Sequence, residues 1–305
     1  MKRIVSVSLG SSKRNKNSHC VLLGQEYSIE RHGVDGDLNK FKEKLLELDG
    51  KVEAIGLGGI DLYLWTAKKR YTIRDAKKLA DCVKNTPVVD GSGIKNTIER
   101  MTISWLSENN IIDFSLSTAL MVCGLDRFGM AQSLSEVCSK VIYGDAMFAL
   151  GIPIKINSYK SLCVIATLLL PFFCNIPFKW LYPTGNKQSE HIEKYTSTFA
   201  SCDIICGDYL YINKYLPSPQ SGALKDKTII TNTLTTEDVL NLKERGVKLI
   251  VSTTPQFDGR NFGTNVLEGI MTSILGKSIY DASDEEIKDI LTKLNWKPTI
   301  VYSKE

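Results

Sequence analysis

The sequence predicts an α/β protein of two domains: an N-terminal α/β domain with an antiparallel start, and a second, Rossmann-like parallel-sheet domain. Short, nearly all-apolar runs alternate with segments whose apolar residues recur every three or four positions. This pattern is typical of a parallel sheet covered by helices on both faces. A length of 305 residues suits two domains. Hydrophobic residues make up 43% and charged residues 24% of the chain, which excludes collagen, wholesale disorder and a disulfide-stapled miniprotein.

The first domain is expected to span residues 1–115. The apolar segments 4–9 and 19–23 flank the polar run SSKRNKNS, which predicts a hairpin with a basic tip, and segment 27–32 alternates like a third strand. Asp37 is placed to cap a helix whose apolar positions lie on one face. Three further strand-like segments follow, of which the last two lead into helices: 52–57, 71–74 and 87–89.

The second domain is expected to span residues 116–305. Its first strand, 118–123, leads through the turn GLDRFG into a helix with apolar residues along one face. Thr235 and Ser283 each have an acidic residue three positions later, which is the spacing of a capping box at a helix start. The other predicted strands of this sheet are 140–143, 203–206, 227–231 and 248–252.

An apolar insertion over residues 150–200 interrupts the second domain. Within it, residues 161–178 include no charged side chain. Pro171 and Pro177 are expected to break the helix and to leave too short a straight segment for a bilayer of about 30 Å. We therefore expect a buried helix hairpin or the wall of an apolar pocket. Contact with a membrane surface, with Trp180 at the interface, is the alternative, and a true membrane span is a third possibility.

The charge and cysteine patterns bear on the class of function. A formal net charge of +4, spread along the chain, does not suggest nucleic-acid binding, which needs concentrated positive charge. The eight cysteines lie mostly in apolar runs, which predicts reduced core residues in a cytoplasmic protein. The three histidines are not spaced with cysteines like zinc ligands, so no metal is expected.

The strongest candidate for a cofactor site is the turn GLDRFG at 124–129. A dinucleotide site needs a tight turn after the first strand and an acidic residue about 20 positions later, which binds the ribose hydroxyls. Asp145 has that spacing, and it favours NAD over NADP because its carboxylate repels a 2′-phosphate. The middle glycine of the usual pattern is replaced by Asp126, so a structural turn with an Asp126–Arg127 pair is the alternative. The candidate cofactor-binding residues here are Gly124, Asp126, Arg127, Phe128, Gly129 and Asp145.

A second turn, DGSGIKNT at 90–97, joins a predicted strand to a predicted helix. Its N–H groups could bind an anion at the start of the helix, although the spacing is not that of a P-loop. Lys95 is the candidate catalytic proton donor or acceptor, with Asp90 to orient it. A glycine-assisted turn with a solvated lysine is the alternative. The candidate substrate-binding residues in this turn are Ser92, Asn96 and Thr97.

Two further loops include candidate residues. Lys187 lies in the polar stretch after the apolar insertion and is the other candidate catalytic lysine. The loop after the last predicted parallel strand lies beyond the carboxyl ends of the strands, where open α/β sheets bind ligands. Arg260 in that loop suits bidentate binding of a carboxylate or phosphate. Its other candidates are Thr253 and Thr254 for the cofactor and Asn265 for the substrate. A purely structural role is the alternative for both loops.

Over most of its length the chain resembles bacterial proteins labelled quinate/shikimate 5-dehydrogenase-like. The segments that resemble this family are VSLGSSKRNK, GLGGIDLYL, VVDGSGIKNT, GLDRFGMA, WLYPTGNKQ and TTPQFDGRNFGTNV. The resemblance implies an N-terminal substrate domain, a Rossmann-type NAD(P) domain and a catalytic Lys–Asp pair. The turn GLDRFG departs from the glycine-rich loop of true shikimate dehydrogenases. The assignment of Lys95 and Asp90 to the Lys–Asp pair is our own.

The function expected from the sequence is that of an NAD(P)-dependent oxidoreductase. It would act on a hydroxyl or carbonyl group of a small acidic or partly apolar substrate, with the protein supplying orientation and one proton-transferring group. A non-catalytic nucleotide- or metabolite-binding protein is the first alternative. An enzyme that acts on lipid-like substrates at a membrane surface is the second. The sequence does not indicate an oligomeric state.

Overall fold

The computed structural model describes residues 1–66, 69–177, 191–254, 256–257, 260–261 and 263–303. Its helices are α1 (Leu38–Leu48), α2 (Arg74–Ala80), α3 (Ser92–Glu108), α4 (Phe128–Val137), α5 (Asp145–Leu150), α6 (Tyr159–Phe173), α7 (Thr196–Ala200), α8 (Tyr209–Lys214), α9 (Thr236–Glu244), α10 (Thr264–Leu275) and α11 (Asp284–Lys293). Its strands are β1 (Lys2–Ser8), β2 (Lys16–Leu22), β3 (Gln25–Gly33), β4 (Ala54–Gly58), β5 (Tyr63–Trp65), β6 (Arg70–Thr72), β7 (Val88–Val89), β8 (Thr118–Met121), β9 (Lys140–Tyr143), β10 (Ile204–Gly207), β11 (Thr228–Thr231), β12 (Leu249–Ser252), β13 (Gln256–Phe257), β14 (Arg260–Asn261) and β15 (Thr299–Tyr302). The predicted α/β fold class is confirmed.

The first sheet has five strands in the order β2-β3-β1-β4-β7. Its antiparallel start is the hairpin of β2 and β3, while β3, β1, β4 and β7 run parallel. The expected hairpin between the first two strands is wrong, because β3 lies between β1 and β2. Both faces of this sheet are covered, since Ile4, Val5 and Ile55 have no solvent exposure. This explains why β1 and β4 appear in the sequence as almost continuous apolar runs.

The second sheet has the order β15-β12-β11-β10-β8-β9, with β8 to β12 parallel and β15 antiparallel at one edge. The Rossmann-like parallel sheet is thereby confirmed. In chain order its parallel strands are arranged 2-1-3-4-5, the flavodoxin-like form of a doubly wound sheet. The order reverses between β8 and β10, because the chain goes from β8 to β9 on one side and returns to β10 on the other. Ligands of such sheets bind in the crevice at this switch point.

Helix α3, from the first half of the chain, packs against two helices of the second half, α4 on one side and α10 on another. The contact with α4 is close, because a Cβ atom at Gly129 would lie 2.5 Å from the Asn96 carbonyl oxygen. Gly129 therefore permits helix–helix packing rather than the helix–strand packing expected of a dinucleotide turn. Helix α10 returns to the first sheet, where Leu267 and Ile270 share a core with Ile4. The domain division at residues 115 and 116 stays a prediction.

Helix α6 forms within the apolar insertion and differs from the expectation. The Ser158 side chain caps its start, and the helix continues through Pro171 to its end at Phe173. The expected break at Pro171 is wrong, because a proline in the last turn removes a single helical hydrogen bond. None of the helices in the described segments is long and apolar enough to cross a membrane.

One side of α6 is buried and the other is exposed, so this helix is not buried on all sides as an arm of the expected buried hairpin would be. The part of that hairpin beyond residue 177 lies outside the described residues. The buried stripe consists of Leu162, Ala166 and Leu170. The exposed apolar side chains are Val164, Leu168, Leu169 and Phe172. The buried stripe packs beside the turn after β8, because a Cβ atom at Gly124 would lie 2.8 Å from the Leu162 side chain. Helix α6 therefore covers the candidate cofactor turn.

Candidate functional site: an ionic cluster at the switch point

A largely buried ionic cluster lies at the switch point of the second sheet. The turn after β8 contributes two charged side chains, and the loop after β10, the neighbouring strand, contributes one. Two more come from α3, where they lie four residues apart on the same face of the helix. The last comes from the loop after β4 of the first sheet. We call these residues the Lys95 cluster: Asp61, Lys95, Glu99, Asp126, Arg127 and Asp208.

Lys95 joins the contributions of the two sheets. Its Nζ atom lies 3.0 Å from Asp126 Oδ1 and 3.5 Å from Asp61 Oδ1. Burial alone would lower the pKa of Lys95, but the negative charges of Asp126 and Asp61 outweigh burial and raise that pKa above its usual value. These surroundings favour the ammonium form of Lys95 and oppose the lowered pKa that a proton acceptor would need. The catalytic role of Lys95 stays a prediction.

Arg127 is the second cation of the cluster, and its side chain is only 4% exposed. It forms an ion pair with Glu99 through Nη1, and its Nη2 atom lies 2.7 Å from Asp208 Oδ2. Asp126 is a weaker partner, at 3.8 Å from Nε. Because two carboxylates already hold the guanidinium, Arg127 is not available to neutralise a phosphate at the turn.

The two carboxylates beside Lys95 have pKa values that are moved in opposite directions. Burial raises the pKa of Asp61 to about 7, with Lys95 opposing and Asp126 adding to the rise. For Asp126, the effect of burial is outweighed by Lys95 and Arg127, so its pKa is lowered. When the pKa values of two neighbouring carboxyl groups are moved apart in this way, one group can exchange a proton while the other stays ionised. Asp61 is 25% exposed and can exchange protons near neutral pH, as a general acid or base must.

Asp145 binds the turn itself. Its Oδ1 atom accepts a hydrogen bond of 2.7 Å from the Leu125 backbone N–H, and Asp145 is 6% exposed. Burial raises the pKa of Asp145 to about 6, although the hydrogen bonds from Leu125 and Gly124 oppose the rise. A second donor at the turn, the Gly129 N–H, is taken by Asn96 Oδ1 at 2.8 Å.

These contacts do not fit a dinucleotide pyrophosphate at GLDRFG. A pyrophosphate needs free N–H groups and a nearby uncompensated cation. Here Asp145 occupies the Leu125 N–H, Asn96 occupies the Gly129 N–H and Arg127 is paired with carboxylates. Phe128 packs its buried ring against Tyr159 of α6 and is a core residue.

The predicted anion site at the start of α3 is filled by a carboxylate of the chain. Glu268 of α10 is fully buried, and it accepts hydrogen bonds from the backbone N–H groups of Asp90, Gly91 and Gly93. Burial, together with the charge of Asp90, raises the pKa of Glu268 well above its usual value. The N–H groups expected to bind a ligand thus hold α10 against α3.

Asp90 does not orient Lys95, so that expectation is corrected. Its carboxylate accepts hydrogen bonds from the Leu62, Tyr63 and Ser92 N–H groups and from the Tyr280 hydroxyl. Asp90 therefore stabilises the loops that follow β4 and β7 of the first sheet. The partners of Lys95 are Asp126 and Asp61.

Other predicted substrate residues of α3 lie outside the cluster. The Ser92 hydroxyl accepts a hydrogen bond of 3.2 Å from the Trp65 indole N–H, and the Thr97 hydroxyl donates to Asp284 at 3.0 Å. With Asn96 at the Gly129 amide, these three polar side chains are engaged in structural contacts.

The loop after β12 supplies little to the cluster. Thr253 and Thr254 are buried, and the Thr254 hydroxyl lies 2.9 Å from that of Thr233. Asn265 donates to the Ser6 hydroxyl at 2.8 Å, on the first sheet. Arg260 lies in β14, but its side chain is outside the described part of the structure, and Lys187 lies outside the described residues.

Four residues of the site were not singled out from the sequence: Asp61, Glu99, Asp208 and Tyr211. Asp61 and Asp208 follow the carboxyl ends of parallel strands, and Glu99 follows Lys95 by one helical turn, so a signal existed for each of these three. Burial raises the pKa of Tyr211, and the negative charges of Asp126 and Asp208 add to the rise, so Tyr211 is within electrostatic reach of the cluster. Among the described residues, no group of three or more His, Cys, Asp or Glu side chains is arranged to hold a metal ion.

The structure is that of an α/β protein with two main sheets, and its charged site lies at the switch point of the second of them. The chain belongs to the family described as Domain of unknown function (DUF8754), whose model matches residues 93–303. A second family model, Domain of unknown function (DUF8753), matches residues 3–90. The comparison with curated proteins found no match.

Several solved structures are weakly similar, each at 10% identity. A solute-binding protein of an ABC transporter from Burkholderia multivorans has a TM-score of 0.39 over 92% of this chain and 95% of its own. Glutamate dehydrogenase from Thermus thermophilus has a TM-score of 0.45 over 96% of this chain and 73% of its own. The NAD-dependent malic enzyme from Thermotoga maritima has a TM-score of 0.37 over 96% of this chain and 84% of its own. Similarity at this level carries no function with it.

Proposed function

We propose that this protein is an enzyme with an acid–base group that acts on a small metabolite. The group takes a proton from a hydroxyl group of the metabolite, or gives a proton to a carbonyl oxygen in the reverse direction. The Lys95 cluster is its catalytic centre. The observation that carries the proposal is the position of the Asp61 carboxyl group, 3.5 Å from the Lys95 ammonium group and 25% exposed. Burial at this position raises the pKa of Asp61 to about 7. A pKa near the working pH is the requirement for an efficient general acid or base.

In this proposal the residues of the cluster have separate roles. Asp61 gives or takes the proton, because its surroundings raise its pKa to about 7 and its side chain is 25% exposed. Lys95 keeps its proton and stabilises negative charge that develops on the substrate oxygen. Asp126, whose pKa is lowered, remains ionised and fixes the position of the Lys95 ammonium at 3.0 Å.

The test compares metabolite conversion by the wild-type protein with that by Asp61→Asn. Each protein is incubated with a mixed metabolite extract, with and without NAD and NADP, and mass spectrometry follows consumption and appearance of compounds. We expect Asp61→Asn to lower the rate of the wild-type conversion by about 100-fold or more, the usual effect of losing a general acid or base. The control is Asp289→Asn, a surface carboxylate that is 59% exposed and paired with Lys293. It should convert the metabolite at the wild-type rate.

Two results would contradict the proposal. Equal rates for wild type and Asp61→Asn would remove Asp61 from the chemistry. A metabolite that binds the wild-type protein but is never converted would favour the non-catalytic metabolite-binding alternative.

We propose a small molecule as the binding partner and the cytoplasm as the compartment, without nucleic acid. Membrane contact and the oligomeric state are left to experiment.

A nicotinamide-dependent oxidoreductase is the second candidate, with NAD preferred to NADP. The observation that favours it is the order of turn, helix, strand and acid at the first strand of a doubly wound sheet, from β8 to Asp145. The quinate- or shikimate-type activity belongs to this candidate and rests on the sequence resemblance. Binding at GLDRFG would require the Asp145 carboxylate to leave the Leu125 N–H.

Titration of NADH and NADPH by nucleotide fluorescence tests this candidate. If Asp145 binds the ribose hydroxyls, NADH binds more tightly than NADPH, and Asp145→Ala weakens NADH binding and narrows the difference. Equal affinities that Asp145→Ala leaves unchanged would exclude Asp145 from a nucleotide site. The same outcome would leave the acid–base role of Asp61 untouched.

A further inference from the structure

The surface that the Lys95 cluster presents to solvent is acidic. Asp61 is 25% exposed, Asp126 is 23% exposed and Asp208 is 17% exposed. The two cations lie deeper, since Lys95 is 10% exposed and Arg127 is 4% exposed. A ligand that arrives from solvent therefore meets carboxylates before it meets a cation.

The cluster also has more acidic than basic side chains. Four carboxyl groups share two cations, which would leave an excess of two negative charges if all six groups were ionised. Burial raises the pKa of Asp61 and of Glu99, so these two groups tend to keep a proton because the nearby cations do not outweigh burial. Glu99 Oε1 is paired with Arg127, and Glu99 Oε2 is buried without a hydrogen-bond partner among the described residues. An unpaired carboxylate oxygen in a buried site is costly, and a positive charge nearby would stabilise it.

Among the described residues, the two groups of backbone N–H donors at which an anion was expected are occupied by carboxylates of the chain itself. Asp145 occupies the Leu125 N–H at the turn after β8, and Glu268 occupies the amide groups at the start of α3. A phosphate or carboxylate group on a substrate would have to displace one of these side chains. It would then add negative charge to a cluster that already has an excess of acidic groups.

From this arrangement we infer that the substrate of the site is an organic cation: a metabolite with a protonated amine as well as the hydroxyl or carbonyl group of the proposed reaction. The inference rests on the proposed function and names its substrate class. The ammonium group lies against the carboxylate of Asp61, which is the most exposed acidic group of the cluster. Asp208 adds negative charge nearby, although its own oxygens already accept hydrogen bonds from Leu210, Asn232 and Arg127. A hydroxy acid of the quinate type is an anion at neutral pH and would then have the wrong charge for this site.

A thermal-shift screen in matched sets tests the inference. Each set contains an amine, its neutral counterpart and its acid: ethanolamine, ethylene glycol and glycolate form one, and glucosamine, glucose and glucuronate form another. Mg²⁺ and Ca²⁺ are tested separately. The screen extends to a library of amino alcohols, amino ketones and their acid counterparts, and the affinity of each compound that raises the melting temperature is then measured by calorimetry.

We expect the compounds that bind to be amines and to lose at least about tenfold in affinity in Asp61→Asn but not in Asp289→Asn. Melting of the unliganded variants in the same plates shows that both are folded. Preferential binding of acids, equal binding of amines and their neutral counterparts, binding of metal ions alone, or no binding by any amine would overturn the inference.

The outcomes also separate this inference from the proposed function. Amine binding that needs Asp61, without any conversion of the amine, would reject the enzyme and keep the substrate class. Conversion of a hydroxy acid that needs Asp61 would keep the enzyme and reject the substrate class.

Discussion

At the scale of single residues, Asp61 combines a functional role with a cost in stability. Its pKa in the folded protein is about 7, against an ordinary value of 3.8, so the folded state binds a proton more tightly than the unfolded chain does. The contribution of Asp61 to the free energy of unfolding is therefore largest below pH 3.8, and it is lost as the pH rises from 3.8 toward 7. The ionised carboxylate is the form that the cluster tolerates poorly.

The substitution Asp61→Asn should therefore stabilise the protein at alkaline pH, because asparagine resembles the neutral carboxyl group. We expect the variant to melt at a higher temperature than wild type at pH 8, and we expect this difference to be much smaller at pH 4.5, where only part of the effect has developed. Calorimetry at the two pH values measures the difference, and Asp289→Asn should show none at either. A variant that melts below wild type at pH 8 would mean that the Lys95–Asp61 ion pair stabilises more than the charge excess destabilises.

Prediction of the site from the sequence succeeded for some residues and failed for others for a physical reason. Lys95 and Asp126 were both singled out, and the structure places their charged atoms 3.0 Å apart. Asp90 was assigned to Lys95 because the two are close in sequence. The true partners come from the turn after β8 and the loop after β4, and such long-range pairs depend on how α3 packs, which a local pattern does not include.

At the scale of elements, Glu268 fixes α10 to the start of α3. Glu268→Ala would leave the N–H groups of Gly91 and Gly93 without their buried acceptor, while the Asp90 N–H would keep the Tyr280 hydroxyl oxygen at 3.2 Å. We expect a loss of about 3 kcal/mol or more in the free energy of unfolding, because each buried unpaired donor costs about 1–3 kcal/mol. Urea denaturation measures it. The exposed Glu285→Ala is the control, with an expected change within about 0.5 kcal/mol. Similar stability of both variants would show that water replaces the carboxylate.

Helix α6 permits a matched comparison of its two sides. Leu170 is 2% exposed and Leu168 is 61% exposed. We expect Leu170→Ala to cost about 2–5 kcal/mol of unfolding free energy through lost burial and a cavity. Leu168→Ala should change it by less than about 0.5 kcal/mol. Chemical denaturation of both variants measures the difference. Equal losses would mean that the outer side of α6 is covered in solution.

The elements themselves were easier to predict than their pairing. Strand β9 has the predicted bounds, and the capping boxes at Thr235 and Ser283 are both present. These features depend on contacts within a few residues. The order of strands does not, which explains why the insertion of β3 between β1 and β2 was missed. The course of α6 through Pro171 was missed because a proline in the last turn is tolerated.

At the scale of the whole molecule, the parallel strands of the two main sheets are arranged in a similar order. The parallel strands of the first sheet follow the chain order 2-1-3-4, and those of the second follow 2-1-3-4-5. Helix α3 passes from the first half to the second and brings Lys95 and Glu99 to the switch point of the second sheet. The chain as a whole has a net charge of +4, whereas this site has an acidic surface, so the local charge is a property of the fold and not of the composition.

The central claim is that Asp61 changes its protonation state near neutral pH within the Lys95 cluster, and NMR titration of the intact protein measures this directly. With ¹³C-labelled aspartate, the account predicts a carboxyl resonance that titrates with a midpoint near 7 in wild type and is missing from Asp61→Asn. The same resonance should persist in Asp289→Asn. If the aspartate resonance that Asp61→Asn removes titrated below about pH 5 in the wild-type protein, in the ordinary range for this side chain, Asp61 would be a permanently ionised partner of Lys95 and the proposed acid–base chemistry would be contradicted.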